Sequence, residues 1–549
     1  MNSFLNRATL PTIAIWSSNM KGRLSRRSHF NVVTLLLASF AATCLFAKLN
    51  AQESLSPPGY AKNSREMKVE ASSKRSIPLK KDAPQASKNK SGAAERTSKS
   101  VDVLIDMRHA HDFSDYPLTL DDVFYHRLYS FHRAFESLKS LGLNVEKSDS
   151  ERPLTSEILS NVKVLFLNLP SADKEPFLSE EIVAIRDFLH EGGSAFFITD
   201  HTNCYFHQTC LTPLFHELDI LPQKYGVCDK DQILGQGEGW IFIDNFDKDH
   251  PVVQGLREIA FQTGGGVDPR FAVAWSGPNS WQDAPGIPIY GEADVAYFGN
   301  FTPDPDEKQG KSGVVLAKDI GKGKIVIVGD QNLFSPFFFQ YLDVYRLWLN
   351  AFAWLLNTPE IADFKAYCHT ESPSSIIVCW EDLAKGFDRF GNPDSKGYYH
   401  IYTQLCRRYN AFCIAHDDQD LTSQLLLLLH GERYTEEGFA YALRQLKEGR
   451  AILVLDPPVD VWKNAQNELP TLLQKLKDEG VELIEDNEQP LSYKKERYEF
   501  SNGAKITLLR GSNSFNNIDV PKPEKAPLML EGMNIRALVQ EIEELLTQN

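Results

Sequence analysis

The stretch "FLHEGGSAFFITDHTN", Phe188 to Asn203, decides the fold. Its first part closes a helical pattern, "LSEEIVAIRDFLHEGG", with apolar residues at helical spacing, Ser179 as the expected N-cap and two glycines as the stop. Its second part is a short apolar run with no polar alternation, which predicts a strand buried on both faces of a parallel sheet. That run ends in Asp200 and His201, and the charge and imidazole there belong either to a functional edge or to a turn.

The same design recurs on both sides. "VDVLID" and "VKVLFLNLP" read as buried strands with polar ends, and "DDVFYHRLYSFHRAFESLKSLG" as a helix between them. "GKGKIVIVGDQNLF" adds a further strand, and "YLDVYRLWLNAFAWLLN" an apolar helix closed by Asn357 to Pro359. Strands alternating with helices predict an α/β fold, a flavodoxin-like parallel sheet with helices on both faces, over residues 101–360. From about 205 to 320 the pattern gives way to Gly, Pro and Asp around the short runs "GWIFID", "FAVAW" and "DVAYFG", a β-rich insertion. Cys204 and Cys210 lie close enough in sequence to form a small loop disulfide or to remain two free thiols.

Residues 362–549 repeat the order of the first part, which predicts two tandem copies, the second shortened by loss of most of the insertion. In this alignment Asp106 faces Cys379, His109 faces Asp382, His111 faces Ala384, His201 faces Pro457 and Asp330 faces Gly511. Asp200 is matched by Asp456, Asn332 by Asn513, and Tyr125-His126 by Tyr399-His400. Groups kept in both copies serve the fold, so the comparison assigns Asp200 to structure and His201 to function.

The ends of the chain differ from its body. Residues 1–100 hold 17 Lys+Arg against 5 Asp+Glu, and the rest 41 against 68. An acidic body repels phosphate backbones and argues against a nucleic-acid partner. "KGRLSRRSHF" followed by "NVVTLLLASFAATCLFA" reads as a signal peptide or membrane anchor over residues 1–51, so the body is expected outside the cytoplasm, with the membrane touched only through this segment. Residues 52–100 are rich in Ser, Lys, Ala and Pro and read as a disordered basic linker.

Ligands of open α/β sheets bind beyond the carboxyl ends of the strands. The candidates there are Asp106, Arg108, His109 and His111, then Asn168, then Asp200, His201 and Asn203, then Asp330 and Asn332. Asp106, His201 and Asp330 are the acid/base candidates, and His109, His111 and His201 the metal candidates. "QTGGGVD" reads as a flexible glycine turn, and it carries neither a P-loop nor a Rossmann pattern, so the sequence names no cofactor.

On "FLHEGGSAFFITDHTN", "HPVVQGL" (His250 to Leu256) and "GKGKIVIVGDQNLF", the segment from Val101 to Asn357 resembles the class I glutamine amidotransferase-like superfamily, and more closely its exported branches related to trehalose-utilisation-type domains. The resemblance implies a Cys nucleophile at the elbow and a downstream His-Glu pair. Here the elbow reads Asp200-His201-Thr202 and "GDQN" stands in the second place, so glutamine hydrolysis is not expected. Three readings follow: binding of a small polar ligand such as a sugar, a metal-dependent hydrolase built on the His/Asp cluster, or an envelope interaction scaffold.

Overall fold

The computed structural model describes residues 100–111, 113–119, 128–234, 238–286, 298–363, 376–380, 390–391, 399–414, 423–429, 436–456, 471–488, 493–511 and 533–547. All of them lie in one compact unit, Ala94–Asn549. The leader and linker segments fall outside the described residues, as do Tyr125, His126, Asp382, Ala384, Pro457, Asn513 and most of the "DVAYFG" strand. Among the described residues no helix is long and apolar enough to cross a membrane.

The chain is a mixed α/β protein. Its first half runs β1 (Val101–Ile105), α1 (His132–Ser140), β2 (Val145–Lys147), α2 (Ser156–Leu159), β3 (Val162–Asn168), α3 (Ser179–Glu191), β4 (Ser194–Ile198) and α4 (His207–Glu217). There follow β5 (Gly226–Asp229), β6 (Trp240–Ile243), β7 (Asn245–Phe246), β8 (Ile259–Gln262), β9 (Ala272–Trp275), β10 (Ser280–Asp283), β11 (Gly313–Ile320), β12 (Gly323–Val328) and α5 (Val344–Leu356). The second half holds β13 (Ile376–Trp380), α6 (Tyr399–Arg408), β14 (Asn410–Ile414), β15 (Leu425–Leu429), α7 (Glu436–Lys447) and β16 (Ala451–Asp456). It closes with α8 (Thr471–Asp478), β17 (Glu482–Glu488), β18 (Tyr493–Glu499), β19 (Lys505–Gly511) and α9 (Met533–Thr547).

Two large sheets form, in the orders β2-β1-β3-β4-β12-β11-β9-β7 and β14-β13-β15-β16-β19-β18-β17. In each, five parallel strands are extended by antiparallel ones. The sheets are therefore mixed, where the apolar runs alone predict parallel pairing: β11 and β18 are joined to their neighbours by turns too short for a crossover. One face of the first sheet buries Val103, Ile105, Phe166, Phe196 and Val328 with Trp348 and Phe352 of α5. The other buries Leu104, Leu165, Phe197 and Ile327 with residues of α3 and α4. Side chains of this size contribute about 1.5–3 kcal/mol each when fully buried, so continuous apolar strands are what a sheet covered twice requires.

Local chemistry adjusts two expected helix starts. The α1 helix begins only at His132, because Ser130 turns its hydroxyl to Tyr116 O and accepts from His132 N. Ser179 is the first residue of α3 rather than its cap; Glu181 reaches back to Leu178 N at 2.8 Å, and Gly192 stops the helix at φ +119°. The six described cysteines are all free, Cys204 and Cys210 among them, so the loop disulfide does not form.

Laying one sheet's ladder on the other's, as the expected tandem copies would require, calls for a one-residue change to the sequence alignment. In the first sheet Val103, Val164, Ser194 and Lys324 share a rung. In the second, Ile377 lies beside Leu425 and Leu425 beside Ala451, while Ile452 pairs with Ile506. Val326 packs on the α5 side, and its counterpart Thr507 bonds Glu541 of α9 on the corresponding side. On this register Trp380 stands where Asp106 does, Leu429 where Asn168 does and Gly511 where Asp330 does. Asp456 corresponds to Thr199, and Asp200 meets the following proline, so Asp200 joins the groups found only in the first half.

The halves are joined by the chain that leaves β12. Gln340 to Leu342 lie along the outer edge of β14, with Cys413 N donating to Gln340 O at 2.9 Å and Leu342 N to Cys413 O at 2.8 Å. Arg133 of α1 donates to Gln340 and, at 2.7 Å, to Cys406 O in the last turn of α6, where carbonyls lack helical partners.

Candidate functional site

Asp200 and Asp330 each stand two residues beyond the ends of β4 and β12, and Val328 pairs with Ile198. Parallel pairing therefore delivers the two carboxyls side by side. Both are buried, at 3% and 0% exposure. Asp330 accepts backbone N–H groups on both oxygens, from Gln262 at 2.5 Å and Asn332 at 2.7 Å. Asp200 accepts from His201 N at 2.7 Å. Burial and the neighbouring charge of Asp330 hold Asp200 well above the carboxylate range, and burial lifts Asp330 to about 7. Two buried carboxyls with raised pKa values, that of Asp200 partly through the charge of Asp330, disfavour double ionisation near neutrality.

The loop after β4 is built around this pair. Thr202, a β-branched residue, is held at φ +50°, and Leu169 after β3 and Thr263 after β8 are also left-handed, at φ +38° and +53°. Such backbone costs about 1–3 kcal/mol per residue, and here it gathers at the carboxyl edge of the sheet. His201 donates or accepts at Thr202 Oγ1, 3.0 Å away, stacks on Phe298 at 4.2 Å, and is driven by burial to about 3, so its imidazole is neutral at physiological pH. His207 fixes the loop from below: its Nδ1 donates to Cys204 O at 2.8 Å and its Nε2 accepts from Asp200 N at 3.2 Å. Burial raises the Cys204 thiol, which removes it as a nucleophile.

"QTGGGVD" is a packing seam rather than a flexible turn. A Cβ on Gly265 would lie 2.3 Å from Asp200 O, and one on Gly264 would lie 2.7 Å from Asp330 Cβ. The preceding Gln262 is 1% exposed, and both polar atoms of its side chain lack a hydrogen-bond partner. Trp240, opposite Gln262 in the β6–β8 pair, meets Tyr399 of the second half edge-on at 5.7 Å. Tyr399 hydrogen-bonds Tyr129, whose hydroxyl burial pushes up to about 12 with a further contribution from the Asp330 charge.

The remaining sequence candidates divide differently. Asp106 is consumed by its own turn, accepting Arg108 N and His109 N and facing His109 Nδ1 at 2.9 Å. His109 Nε2 lies 3.5 Å from Glu181, which is itself fully buried and accepts Leu154 N and Leu178 N at 2.8 Å. Arg108 Nε adds a contact to Glu181 at 3.6 Å. This chain ties the end of β1 to the start of α3, with Asp106 engaged by Arg108 N, His109 N and His109 Nδ1. His111 stacks on Tyr205 at 3.6 Å and holds Asp173 below the usual carboxylate range. Asn203 caps α4 through Thr209, and Asn168 Oδ1 is buried without a partner. Among the described residues, the His/Cys/Asp/Glu donors that converge within 4.8 Å are Asp200, His201 and Cys204, so His109 and His111 do not join His201 in a ligand set.

Glu181, His207 and Gln262 were absent from the sequence candidates. Glu181 and His207 sit at helix starts, where polar residues are ordinary, and Gln262 could be noticed only as the one amide between "IAF" and the glycine run.

The fold and site together define an α/β protein with a buried acid pair at the carboxyl edge of its first sheet. No family model matches the chain, and no curated protein matches it. Among solved structures it is similar to the mmIFT52 N-terminal domain, at 14% identity and a TM-score of 0.34, covering 46% of this chain and 97% of that one. A putative ThuA-like protein from Bacteroides uniformis gives 16% identity and a TM-score of 0.26, covering 48% and 95%. The β-galactosidase from Bacillus circulans sp. alkalophilus gives 10% identity and a TM-score of 0.23, covering 43% and 29%. Likeness this loose transfers no residue role.

Proposed function

We propose that the chain is an exported protein of two tandem amidotransferase-like, flavodoxin-like sheets, the first with a β-rich insertion, and that it binds a small polar ligand of the sugar or polyol class at the Asp200–Asp330 centre. One observation carries this reading: the buried Gln262, whose backbone N–H bonds Asp330, has a side-chain amide with neither its donor nor its acceptor used. An unpartnered buried amide costs about 1–3 kcal/mol, a cost relieved by a ligand that both gives and takes a hydrogen bond. Vicinal hydroxyls do both. Trp240 stands opposite Gln262 and meets Tyr399, and Phe298 covers His201, aromatic faces of the kind that accompany polar groups in small-molecule sites. In this reading the second half, which has no counterpart of Asp106, Asn168, Asp200 or Asp330, supports the first and lends Tyr399.

The test is thermal denaturation of the protein with and without glucose, galactose, mannose and trehalose, compared with Gln262→Leu. At least one sugar should raise the Tm of the wild type by several degrees. Gln262→Leu should lose that response while gaining about 1 kcal/mol of stability without ligand, because it removes an unsatisfied amide and keeps the backbone N–H. No sugar response, or an equal response in both proteins, refutes the reading. The metal-dependent hydrolase reading loses its three-histidine set, and the scaffold reading would be favoured by envelope proteins co-purifying with a chain that no sugar stabilises.

A further inference from the structure

A second polar cluster lies away from the acid pair, in the segment between β4 and β11. Asp229, the last residue of β5, is fully buried. Its Oδ1 accepts Asp231 N at 2.9 Å and Gln232 N at 3.1 Å, while its Oδ2 has no partner. Gln232 Oε1 is also shut off from solvent without a partner. The two oxygens converge on Gly277, where an added Cβ would lie 2.5 Å from Asp229 Oδ2 and 2.6 Å from Gln232 Oε1. On its other side the same amide donates through Nε2 to Asp244 Oδ1 at 2.5 Å.

Gln232 thus stands between two carboxylates with an NH2 group for only one. Turning the amide over moves the conflict to Asp244 without removing it. Lys230 of the same loop does not resolve it, since its ammonium lies over the ring of Trp281. A cation does, and the donors are all oxygens.

We infer that Asp229 Oδ2 and Gln232 Oε1, the amide oriented by Asp244, form a binding site for a hard divalent cation, with Ca2+ the best fit. Oxygen-only donors exclude the thiolate- and imidazole-seeking metals, and a loop with uneven ligand directions suits the flexible shell of Ca2+ better than the strict octahedron of Mg2+. One carboxylate and one amide oxygen, completed by water, place the affinity in the weak range, at a Kd of about 10⁻⁴–10⁻³ M.

The experiment is a Tb3+ titration of the full chain, with tryptophan-sensitised emission as the signal and Ca2+ or Mg2+ as competitor. Emission should saturate, fall with Ca2+ at about millimolar concentration, and resist the same concentration of Mg2+. Asp229→Asn should abolish it. Gly277→Ala, which keeps every donor but places a methyl between the oxygens, should weaken it at least tenfold and decides the matter if Asp229→Asn does not fold. Asp200→Asn should leave the signal intact. Absence of emission, emission that survives Gly277→Ala unchanged, or loss of emission in Asp200→Asn overturns the assignment.

Discussion

Asp330→Ala is expected to lower the stability of the protein by about 3 kcal/mol or more, read as a fall in Tm of roughly 3–6 °C. The carboxyl accepts backbone N–H groups from Gln262 and Asn332, and the substitution leaves both buried without a partner. Each such group costs about 1–3 kcal/mol, and the cavity adds to it. Asn332 opens the turn that leads to Gln340 and the edge of β14, so the damage should spread to the junction of the halves. Thermal unfolding followed by circular dichroism checks this, and a fall under about 2 °C would show that these hydrogen bonds are dispensable.

Gly265→Ala is the second large effect. The new methyl would stand 2.3 Å from Asp200 O and 3.2 Å from His201 Cα, and neither is a side-chain end that can swing aside. The backbone must separate, and Gly265 N, which donates to Gly329 O at 2.7 Å, would lose its partner in the process. A cost of about 3–5 kcal/mol is expected, the size associated with strained, overpacked sites. Ala at Gly142, whose φ is +80° with open space around it, serves as the comparison: it carries backbone strain without a clash and should cost about 1 kcal/mol. Equal losses for the two variants, measured by urea denaturation, would place the effect in backbone freedom rather than in the seam.

The apolar runs made the strands legible, because a strand covered on both faces has no polar alternation to disguise. The antiparallel edge was not, since "GVVLAKDIGKGKIVIV" reads as two strands whichever way they run, and only the short turn between Ile320 and Gly323 favours a hairpin. The polar strand ends stood out as well, and four of them do meet the same edge. Their roles were hidden. Asp106 and His109 satisfy each other and a helix start, which depends on Glu181 from a distant segment. Asp200 was placed with structure because an alignment one residue out matched it to Asp456; register, which sequence similarity in apolar runs does not resolve, returns it to the centre.

The most direct test of the account is the stability of the wild type and of Asp200→Asn between pH 4 and 8. A carboxyl whose pKa is raised by folding keeps its proton where the unfolded chain, at about 4, has lost it. The stabilisation is complete below the unfolded pKa and is lost as pH rises through the folded value, about 7 for Asp330 and higher for Asp200. Buried His201 and His207, whose folded pKa values of about 3 and about 4 lie below the unfolded one, act in the opposite direction up to about pH 6.5 and are common to both proteins. The account therefore predicts that the wild type loses a few kcal/mol relative to Asp200→Asn over this range, and that Asp200→Asn, which fixes the neutral form, is the more stable protein at pH 8. An Asp200→Asn variant whose stability follows the wild-type curve across the range, or falls more steeply, would contradict it.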